Sequence, residues 1–541
     1  MTLPSQLYRS QQVKCGEVKV ARAVGIDMYQ LMLAAGDAVY DCVLQHYGTQ
    51  VKLWVLCGGG NNGGDGYVVA KLALQQGGDV RVTAMSEPDK LRGDAKRAYE
   101  DFIAAGGKTI PFDMAQVSDC DVVVDALLGT GLSGDVRPEI ATVITAINQS
   151  QIAVVAVDIP SGLCSNSGCV LGNSIKAAHT ITFIGIKQGL VTGKARSYVG
   201  QLHYSPLVIS AKNIATYSEL SRQSATVNIG ELFQNIETPS AVLDFPVILQ
   251  RLKTREPSAH KGTHGKALLI GGGTGLGGAI LLATKACLRA GAGLTACLTE
   301  PQHLNAGLIS SPEAMFAEWT MQQVKYRLSW CDVIAFGPGL GCFQGGAAQQ
   351  QELQPDASAW AVQLAAMVAQ SDKAKVLDAD ALTLLALNPN IDENRIITPH
   401  PGEAARLLNT SVAEIESDRY RAVGNLQARY GGVVVLKGAG TLICDGNKTY
   451  VCSTGNPGMA CGGMGDALTG IIAALLAQRL DIMTAARVGV MLHSYAADLN
   501  AEANGPCGLL ASDVMLCNSM RLSVNASYTR AFIFLTPLDL S

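Results

Sequence analysis

The strongest constraint on the fold is a repeated alternation between short β-branched runs and helix-like segments. Each run ends in a glycine-rich or polar turn; those of the N-terminal half are VKLWVLCG, DVRVTAM, DVVVDALLG, IAVVAVDIPSG and AAHTITFIG. This alternation predicts a parallel sheet covered by helices on both faces, the α/β class. The first forty residues have the apolar spacing of an amphipathic helix, which we expect to precede the first strand.

A polar, proline-containing stretch at residues 208–262 interrupts the alternation. A second alternation then runs from KALLIGG to GMGDALTGIIAALLAQ. A chain of 541 residues is also too long for one hydrophobic core. We therefore predict two α/β domains, residues 1–225 and 226–541, which share no sequence repeat.

Composition narrows the class of protein. The net charge is −4, aromatic residues make up 5% of the chain, and no long basic run is present, so nucleic acid is not an expected partner. No apolar run has the length of a membrane span, and the N-terminus lacks a secretory pattern, so we expect a cytoplasmic enzyme without membrane contact. The fifteen cysteines are scattered mostly in apolar runs, which predicts reduced core cysteines and no zinc site.

The first glycine-rich turn, GGGNNGGDG from Gly58, satisfies the G-x-G-x-x-G pattern of dinucleotide-binding loops. A loop that only cradles phosphate does not need Asn61, Asn62 and Asp65, because an anion beside a phosphate is unfavourable unless something offsets it. These side chains favour a site for a cation or for hydroxyl groups. The alternative is that Asn and Asp merely tolerate the turn geometry.

Two later strand ends also carry side chains with oxygen donors. VVVDALLGTGLSGDVR contributes Asp125 and Asp135, and VVAVDIPSGL contributes Asp158 and Ser161. Hard oxygen ligands of this kind suit an alkali or alkaline-earth cation. A single aspartate at such a position can also be a helix cap, but three successive strand ends favour a site.

The second half of the chain contains another dinucleotide-like turn, GGGTGLGG. The motifs near the C-terminal end of this half indicate phosphoryl transfer instead. KGAGTLI and GNPGMACGGMGDALTGIIAALLA place a glycine-rich turn before an apolar helix, with Asp466 in its first turn. Free amides and the helix dipole form an anion site, and a carboxylate beside it can act as a base. The alternative role for Asp466 is a helix cap. His400, between two prolines, has few apolar neighbours and is expected to contact a ligand.

The motifs GNNGGDG, DALLGTG and VDIPSG resemble the NAD(P)HX epimerase family, the YjeF N-terminal domain, over residues 8–215. The resemblance implies a Rossmann-like three-layer sandwich, a catalytic Asp158, and a potassium ion held by Asn62, Asp125 and Ser161. By the same resemblance, the residues that line the hydrated dinucleotide are Asn61, Asn62, Gly63, Gly64, Asp65, Gly129, Thr130, Gly131, Leu132, Ser133, Gly134, Asp135 and Asp158.

The C-terminal motifs, with ITPHPGEAARLL and FGPGLG, resemble the ribokinase-like superfamily and, more closely, the ADP/ATP-dependent NAD(P)HX dehydratases over residues 235–522. This resemblance implies a catalytic Asp466. The residues implied to contact the hydrated dinucleotide are Ala279, Gly339, His400 and Asp466. Those implied to bind ADP are Lys437, Gly438, Ala439, Gly440, Thr441, Asn456, Pro457, Gly458, Met459, Ala460, Cys461, Gly462, Gly463, Met464 and Gly465.

The two resemblances together imply an enzyme that repairs hydrated NAD(P)H, epimerising its R and S forms and dehydrating the S form with ADP or ATP. The one-chain layout resembles prokaryotic members and favours ADP. K⁺ in the first domain and Mg²⁺ in the second are the implied cofactors, and we expect a homo-oligomer of undefined order. The alternative is a ribokinase-type kinase of a vitamin alcohol fused to a regulatory dinucleotide-binding domain. Segment 523–541 is assigned no function.

Overall fold

The computed structural model describes residues 3–210, 226–252, 255–341, 343–344, 352–353 and 355–515. The chain divides into two compact units, Met1–Ala241 and Val242–Ser541. The boundary predicted after residue 225 falls at the edge of undescribed residues, and segment 523–541 lies outside the described ones. The structural division comes later than 225 because residues 226–228 pair with residues 208–210 of the first unit.

The first unit alternates strands and helices after a helical N-terminal segment. Its strands are β1 (Gln6–Tyr8), β2 (Leu53–Cys57), β3 (Val80–Ala84), β4 (Val122–Ala126), β5 (Ala153–Val157), β6 (His179–Phe183), β7 (Ile186–Lys187), β8 (Gln201–Ser205), β9 (Val208–Ser210), β10 (Thr226–Asn228) and, at the boundary, β11 (Ser240–Val242). Its helices are α1 (Ser10–Val24), α2 (Met28–Tyr47), α3 (Asn61–Gln75), α4 (Gly93–Ala104), α5 (Pro138–Ser150) and α6 (Ile229–Phe233).

The central sheet of this unit is parallel, in the order β3-β2-β4-β5-β6-β8. Alternate residues of β2 enter different cores. Val55 packs in one core with residues of α2 and α3, whereas Trp54 and Leu56 pack in the other with residues of α5. Burying each such side chain stabilises the fold by roughly 1.5–3 kcal/mol. Because both faces are covered, the unit is a three-layer sandwich, and the predicted α/β class is confirmed.

The N-terminal helix expected from the sequence is interrupted. Gly25 ends α1 with a φ of 71°, and α2 begins after Asp27. The left-handed conformation that glycine adopts at Gly25 stops the first helix, as at many helix C-termini. The apolar spacing continues across the break, which is why the sequence alone indicates one helix.

The second unit carries the second alternation. Its strands are β12 (Lys266–Ile270), β13 (Leu294–Thr299), β14 (Met315–Glu318), β15 (Val333–Phe336), β16 (Phe343–Gln344), β17 (Glu352–Leu353), β18 (Ala374–Leu377), β19 (Arg395–Ile397), β20 (Val433–Leu436), β21 (Thr441–Cys444) and β22 (Thr449–Cys452). Its helices are α7 (Phe245–Leu249), α8 (Gly277–Arg289), α9 (Leu304–Ser310), α10 (Met321–Trp330), α11 (Pro355–Gln370), α12 (Asp380–Leu387), α13 (Pro401–Leu408), α14 (Val412–Ser417), α15 (Arg419–Tyr430), α16 (Met464–Ala477) and α17 (Ile482–Asn504).

Within this unit the strands lie in the order β14-β13-β12-β15-β18-β19-β20-β21-β22. The pairs from β14 to β20 are parallel, and β21 and β22 continue the sheet as antiparallel strands. Helix α16 is buried along nearly its whole length. It approaches α8 so closely that a Cβ on Gly470 would lie 2.1 Å from the carbonyl oxygen of Ala283. This packing fixes the first turn of α16 relative to the sheet.

No helix in the described part of the chain is long and apolar enough to cross a membrane.

Candidate active sites

In the first unit, the polar residues predicted from three motifs follow neighbouring parallel strands. The glycine-rich turn after β2 leads into α3, Asp125 lies in β4, and Asp158 follows β5 directly. Strands β2, β4 and β5 are adjacent. Because the carboxyl ends of parallel strands meet at one edge of a sheet, these residues lie at the edge where α/β folds bind ligands.

Asp125 and Ser161 form a buried hydrogen-bonded pair. The Ser161 hydroxyl donates to Oδ1 of Asp125 at 2.5 Å, and the Ser161 backbone N–H donates to Oδ2 at 2.8 Å. Asp125 and Ser161 are both fully buried. Burial raises the pKa of Asp125 to about 6, although the hydrogen bonds from Ser161 oppose the increase. The site therefore contains a buried carboxylate without an ion-pair partner among the described residues.

Asn62 lies in the first turn of α3, beside the loop that follows β4. A Cβ built on Gly129 would lie 3.1 Å from the Asn62 Cβ and 3.4 Å from its amide oxygen. The buried amide nitrogen of Asn62 has no hydrogen-bond partner among the described residues. Buried amides are normally paired, so the unpaired amide nitrogen of Asn62, at the start of α3, is a candidate for contact with a ligand.

Asp158 is paired with Lys187, a residue that the sequence motifs did not single out. The Lys187 ammonium donates to Oδ1 of Asp158, which also accepts hydrogen bonds from the Thr182 hydroxyl at 3.1 Å and the Phe183 N–H at 3.3 Å. Lys187 is 2% exposed. Asp158 has a φ of 63°, an uncommon conformation for a residue with a Cβ. The structure thus fixes this carboxylate beside a buried cation.

Two further carboxyl groups interact with this pair. Burial raises the pKa of Glu17, on α1, to about 7, with Lys187 opposing the shift and Asp158 adding to it. Burial and the nearby Asp158 and Glu17 also raise the pKa of Asp65 well above its ordinary value. The edge therefore holds Asp65, Asp158 and Glu17 close enough to Lys187 to interact with it electrostatically.

The remaining predicted residues of this unit lie around these groups. Asn61, Gly63 and Gly64 belong to the first turn of α3. The loop from Gly129 to Asp135 connects β4 to α5 and is mostly exposed beyond Thr130. Its Leu132, Ser133 and Gly134 follow Gly131 along this loop. Asp135 lies beside Gly172, whose added Cβ would be 3.4 Å from the Cβ of Asp135, and not among the buried carboxyl groups.

The second unit contains an ion-pair cluster centred on Lys437. Its Nζ lies 2.8 Å from Oδ1 of Asp378 and 3.7 Å from Oε2 of Glu403. Thr469 of α16 donates to the other oxygen of Asp378 at 2.9 Å. Burial disfavours the charge on Asp378, but Lys437 and the hydrogen bonds outweigh it and lower the pKa. For Lys437, Asp378 and Glu403 outweigh burial and raise the pKa. Both groups are thus held ionised.

Asp466 lies in the first turn of α16, as the sequence predicts. The helix has no side-chain cap, and among the described residues Asp466 has no ion-pair partner within 4 Å, so the structure gives no support to the capping alternative. Burial, followed by repulsion from Asp378, raises the pKa of Asp466 to about 7, with Lys437 opposing the increase. A carboxylate with this pKa can accept and return a proton near neutral pH.

His400 caps a helix and is also accessible to solvent. Its Nδ1 accepts the backbone N–H of Gly402 at 3.0 Å and so caps α13. Its Nε2 lies 3.5 Å from Oε1 of Glu403, and the side chain is 54% exposed. Loss of hydration and the charge of Lys437 lower its pKa, so the ring is neutral at pH 7. The capped ring remains accessible for a ligand contact.

The glycine-rich segment before α16 is tied to α17 by Asp498. The carboxylate accepts the N–H of Gly455 at 2.8 Å and the amide of Asn456 at 2.9 Å. Asn456 in turn accepts the N–H of Gly458 at 3.0 Å. The predicted segment Asn456–Gly465 therefore continues from an anchored turn into the N-terminus of α16.

The other predicted residues of this unit lie near its strand ends. Residues Lys437–Gly440 connect β20 to β21, and Thr441, the first residue of β21, donates to the carbonyl of Gly438 at 3.0 Å. Gly339 follows β15, and its added Cβ would lie 3.0 Å from the Cβ of Ala279 in α8. The structure thus brings Ala279 and Gly339 together, and their contact with a dinucleotide stays a prediction.

Sequence reasoning missed several residues that the structure places at these sites. They are Glu17 and Lys187 in the first unit, and Asp378, Glu403, Asp498 and the buried His493 in the second. Asp378 follows β18 and carries the same strand-end signal as Asp125, so it was available from the sequence. The others are single residues on helices or a short strand, and only tertiary packing brings them to the sites.

Both halves of the chain match family models. Residues 28–189 match the model described as YjeF-related protein N-terminus, and residues 267–518 match NAD(P)H-hydrate dehydratase. Among solved structures, the chain is similar to an ADP/ATP-dependent NAD(P)H-hydrate dehydratase from Bacillus subtilis co-crystallised with ATP and Mg²⁺, at 29% identity and a TM-score of 0.44, covering 51% of this chain and 96% of that one. A ribokinase-like protein from Enterococcus faecalis gives 29% identity and a TM-score of 0.46, covering 53% of this chain and 96% of that one.

Relatives of full length are similar across both units. The bifunctional NAD(P)H-hydrate repair enzyme Nnr of Vibrio cholerae is 47% identical over 517 residues, which cover 95% of this chain and 98% of that protein. The enzyme of the same name from Escherichia coli is 41% identical, covering 98% of this chain and 96% of that protein. Since the similarity spans both sheets and both clusters of ionisable residues, the chain belongs to the family of bifunctional NAD(P)H-hydrate repair enzymes.

Proposed function

We propose that this chain restores hydrated NADH and NADPH, with the first unit interconverting the R and S hydrates and the second unit dehydrating the S hydrate at the expense of ADP. The observation that carries the proposal is that each unit holds its own lysine–carboxylate cluster at strand ends. Asp158 pairs with Lys187 in one unit, and Asp378 pairs with Lys437 beside Asp466 in the other. Two separate clusters suit two separate reactions.

In the first unit, Asp158 would accept the proton of the ring hydroxyl as that C–O bond becomes the C=O of an aldehyde. The bond between the ring nitrogen and this carbon breaks, and the nitrogen keeps the bonding electrons and takes up the proton from Asp158. Reclosure on either face returns the proton and gives either epimer. Lys187 holds the Asp158 carboxylate in place through a buried hydrogen bond. The first turn of α3, from Asn61 to Asp65, and the loop from Gly129 to Asp135 would bind the dinucleotide, whose phosphates suit a helix N-terminus.

The residues proposed to hold K⁺ suit this ion. Asp125 supplies a buried carboxylate, Ser161 a hydroxyl, and Asn62 a buried amide with an unpaired nitrogen that a rotation of the amide exchanges with its oxygen. These are hard donors of the type that alkali cations prefer. When bound, K⁺ would supply positive charge that attracts the substrate phosphates. The chain's own residues hold and move the proton.

In the second unit, Asp466 would take the proton of the ring hydroxyl as that oxygen attacks the terminal phosphoryl group of ADP. The new O–P bond forms as the bridging O–P bond breaks and AMP leaves. Phosphate then departs with the electrons of the C–O bond, and loss of a neighbouring ring proton restores the double bond. Segments Lys437–Thr441 and Asn456–Gly465 would bind ADP, and Ala279, Gly339 and His400 would contact the hydrated ring and its ribose.

A nucleotide site of this kind uses Mg²⁺ to neutralise phosphate charge. Asp378 has both oxygens engaged by Lys437 and Thr469, whereas Asp466 has no described ion-pair partner and lies at the anion-binding end of α16. The donor set therefore fits an ion held mainly by phosphate oxygens and water, with at most one protein carboxylate, which is how Mg²⁺ commonly binds.

The proposal is tested with purified protein, the mixed hydrates of NADH, and either ADP or ATP. We expect absorbance of NADH to return with ADP, and both epimers to be consumed because the first unit supplies the S form. If only the S half of the substrate returned to NADH, the proposed epimerase activity would be refuted. Accumulation of a stable phosphorylated product without NADH would instead support the kinase alternative.

A further inference from the structure

Three imidazoles and one thiol of the first unit form a cluster that includes none of the strand-end groups described above. His46 stacks on His179 with ring centroids 4.1 Å apart, and the centroid of His203 lies 5.2 Å from each of these two rings. Cys42 lies one helical turn before His46 on α2. The chain has only eight histidines, so three in one cluster is an unusual concentration.

The fold brings these residues together by regular packing. Positions 42 and 46 are four residues apart and share a face of α2. His203 pairs with Ile181, two residues from His179, so the two imidazoles are diagonal neighbours on one face of the sheet. His179 begins β6, whereas Asp158 follows the end of β5. Because these strands are parallel and His179 pairs with Val155, three residues before Asp158, the cluster is displaced along the strands from Asp158 by about 10 Å.

The atoms available for bonding are close enough to share an ion. One ligand atom each from Cys42, His46 and His203 lies within 4.8 Å of the other two. Ligand atoms around a tetrahedral zinc ion are separated by about 3.5 Å, so side-chain shifts of about 1 Å would close the site. His46 is exposed, so an ion can enter from solvent.

The fourth residue of the cluster, His179, can orient the ring of His203. Nδ1 of His179 lies 3.0 Å from Nε2 of His203. Imidazole ligands usually donate their second ring N–H to a neighbour that fixes the ring orientation, and His179 can fill this role for His203.

We propose that Cys42, His46 and His203 bind a divalent transition metal of the zinc type, with His179 as a positioning residue. Binding breaks the S–H bond of Cys42, whose proton leaves to solvent, and forms one sulfur–metal and two nitrogen–metal bonds. A water molecule takes the fourth position. The metal joins α2 to β8, which is an edge strand of the central sheet, and so stabilises the unit away from its substrate site.

The test uses Co²⁺ as a spectroscopic probe on full-length, reduced protein that has been treated with a chelator. We expect one equivalent of Co²⁺ to produce a thiolate-to-cobalt charge-transfer band, and Zn²⁺ to abolish that band by displacement. The Cys42→Ser variant should lack the band. His46→Gln and His203→Gln should weaken Co²⁺ binding at least tenfold, and His179→Gln should weaken it while retaining the band.

Cys15→Ser is the matched control, because this thiol is exposed on α1 and should not affect the band. His46→Gln changes an exposed side chain and tests the site without risk to the core. An unchanged band in Cys42→Ser, or no band in the unaltered protein, would overturn the proposal. A Zn²⁺-dependent rise in Tm that persists in both His46→Gln and His203→Gln would also overturn the assignment to this cluster.

Discussion

Lys437 Nζ lies 2.8 Å from Oδ1 of Asp378, and this ion pair joins the strand end of β18 to that of β20. Asp378 is 2% exposed, so its charge depends on the lysine and on hydrogen bonds for stabilisation. Glu403 and Asp466 interact electrostatically with the same lysine. The pair is therefore the electrostatic centre of the proposed dehydratase site, and it sets the protonation of the groups around it.

Replacing Lys437 by methionine should destabilise the second unit by about 3 kcal/mol, because the buried Asp378 carboxylate would lose its counter-charge. Urea unfolding followed by tryptophan fluorescence measures the loss. The double variant Asp378→Asn/Lys437→Met should recover part of it, since no uncompensated charge then remains. Lys448→Met, at an exposed position, is the control and should unfold like the unaltered protein. Equal stability of Lys437→Met and the control would refute the role of the pair.

Asp466→Asn should abolish dehydration, lowering its rate by a factor of about 10²–10⁴, and leave epimerisation unchanged. The same substitution should raise the free energy of unfolding by about 1 kcal/mol at pH 8. The folded-state pKa of Asp466, about 7, exceeds the ordinary carboxyl value. Its ionisation therefore costs stability as the pH rises towards and through 7.

The stabilising effect of Asp466→Asn should consequently be smaller at pH 5 than at pH 8. In the unaltered protein, dehydration should increase with pH through an inflection near 7, because the base must be ionised. A dehydration rate that does not change between pH 6 and pH 8, measured when chemistry limits turnover, would contradict Asp466 as the base.

Asp158→Asn and Lys187→Met should each abolish epimerisation while the S hydrate is still dehydrated with ADP. Lys187→Met should also lower stability by several kcal/mol, since the lysine is 2% exposed and Asp158 would be left without its partner. Lys176→Met, which alters an exposed lysine of the same unit, is the matched control. Chiral chromatography of the two hydrates measures the exchange. Loss of dehydration in Asp158→Asn would refute the division of reactions between the units.

Asn62→Ala should remove the dependence of epimerisation on K⁺ with little change in stability, because the buried amide nitrogen has no described partner to lose. Epimerisation is measured after dialysis into Na⁺ and then with K⁺ restored. Asn61→Ala is the paired comparison, since this exposed neighbour is proposed to bind substrate and not the ion. It should weaken substrate binding but keep the response to K⁺. An identical response to K⁺ in both variants would count against the proposed ligand set.

Asp498→Ala should raise the KM for ADP about tenfold, a loss of roughly 1.4 kcal/mol, with a smaller effect on kcat. The carboxylate holds Gly455 and Asn456 at the start of the proposed nucleotide segment, away from the reacting atoms. Glu502→Ala, one turn further along α17 and exposed, is the control. A proportional fall in kcat with no change in KM would place Asp498 in the chemical step instead.

The sequence was sufficient for the features that depend on local pattern. The alternation of β-branched runs and turns predicted the α/β class, the strand-end motifs predicted that Asp125 and Asp158 share one edge of a sheet, and the second glycine-rich turn predicted Asp466 in the first turn of a helix. These predictions succeed because strand periodicity, turn residues and helix starts are encoded within a few neighbouring positions. The break between α1 and α2 was missed because apolar spacing continues across Gly25.

Only the tertiary structure decided which groups share an environment. Lys187 and Glu17 interact with Asp158 from other elements of the first unit. His203 lies close to Cys42 although more than 150 residues separate them in the sequence. The pKa of Asp466, in helix α16, likewise depends on Asp378 and Lys437, which follow strands β18 and β20. Electrostatic interactions and burial act through space, so residue pattern determines where chemistry is available, and packing determines which form each group takes.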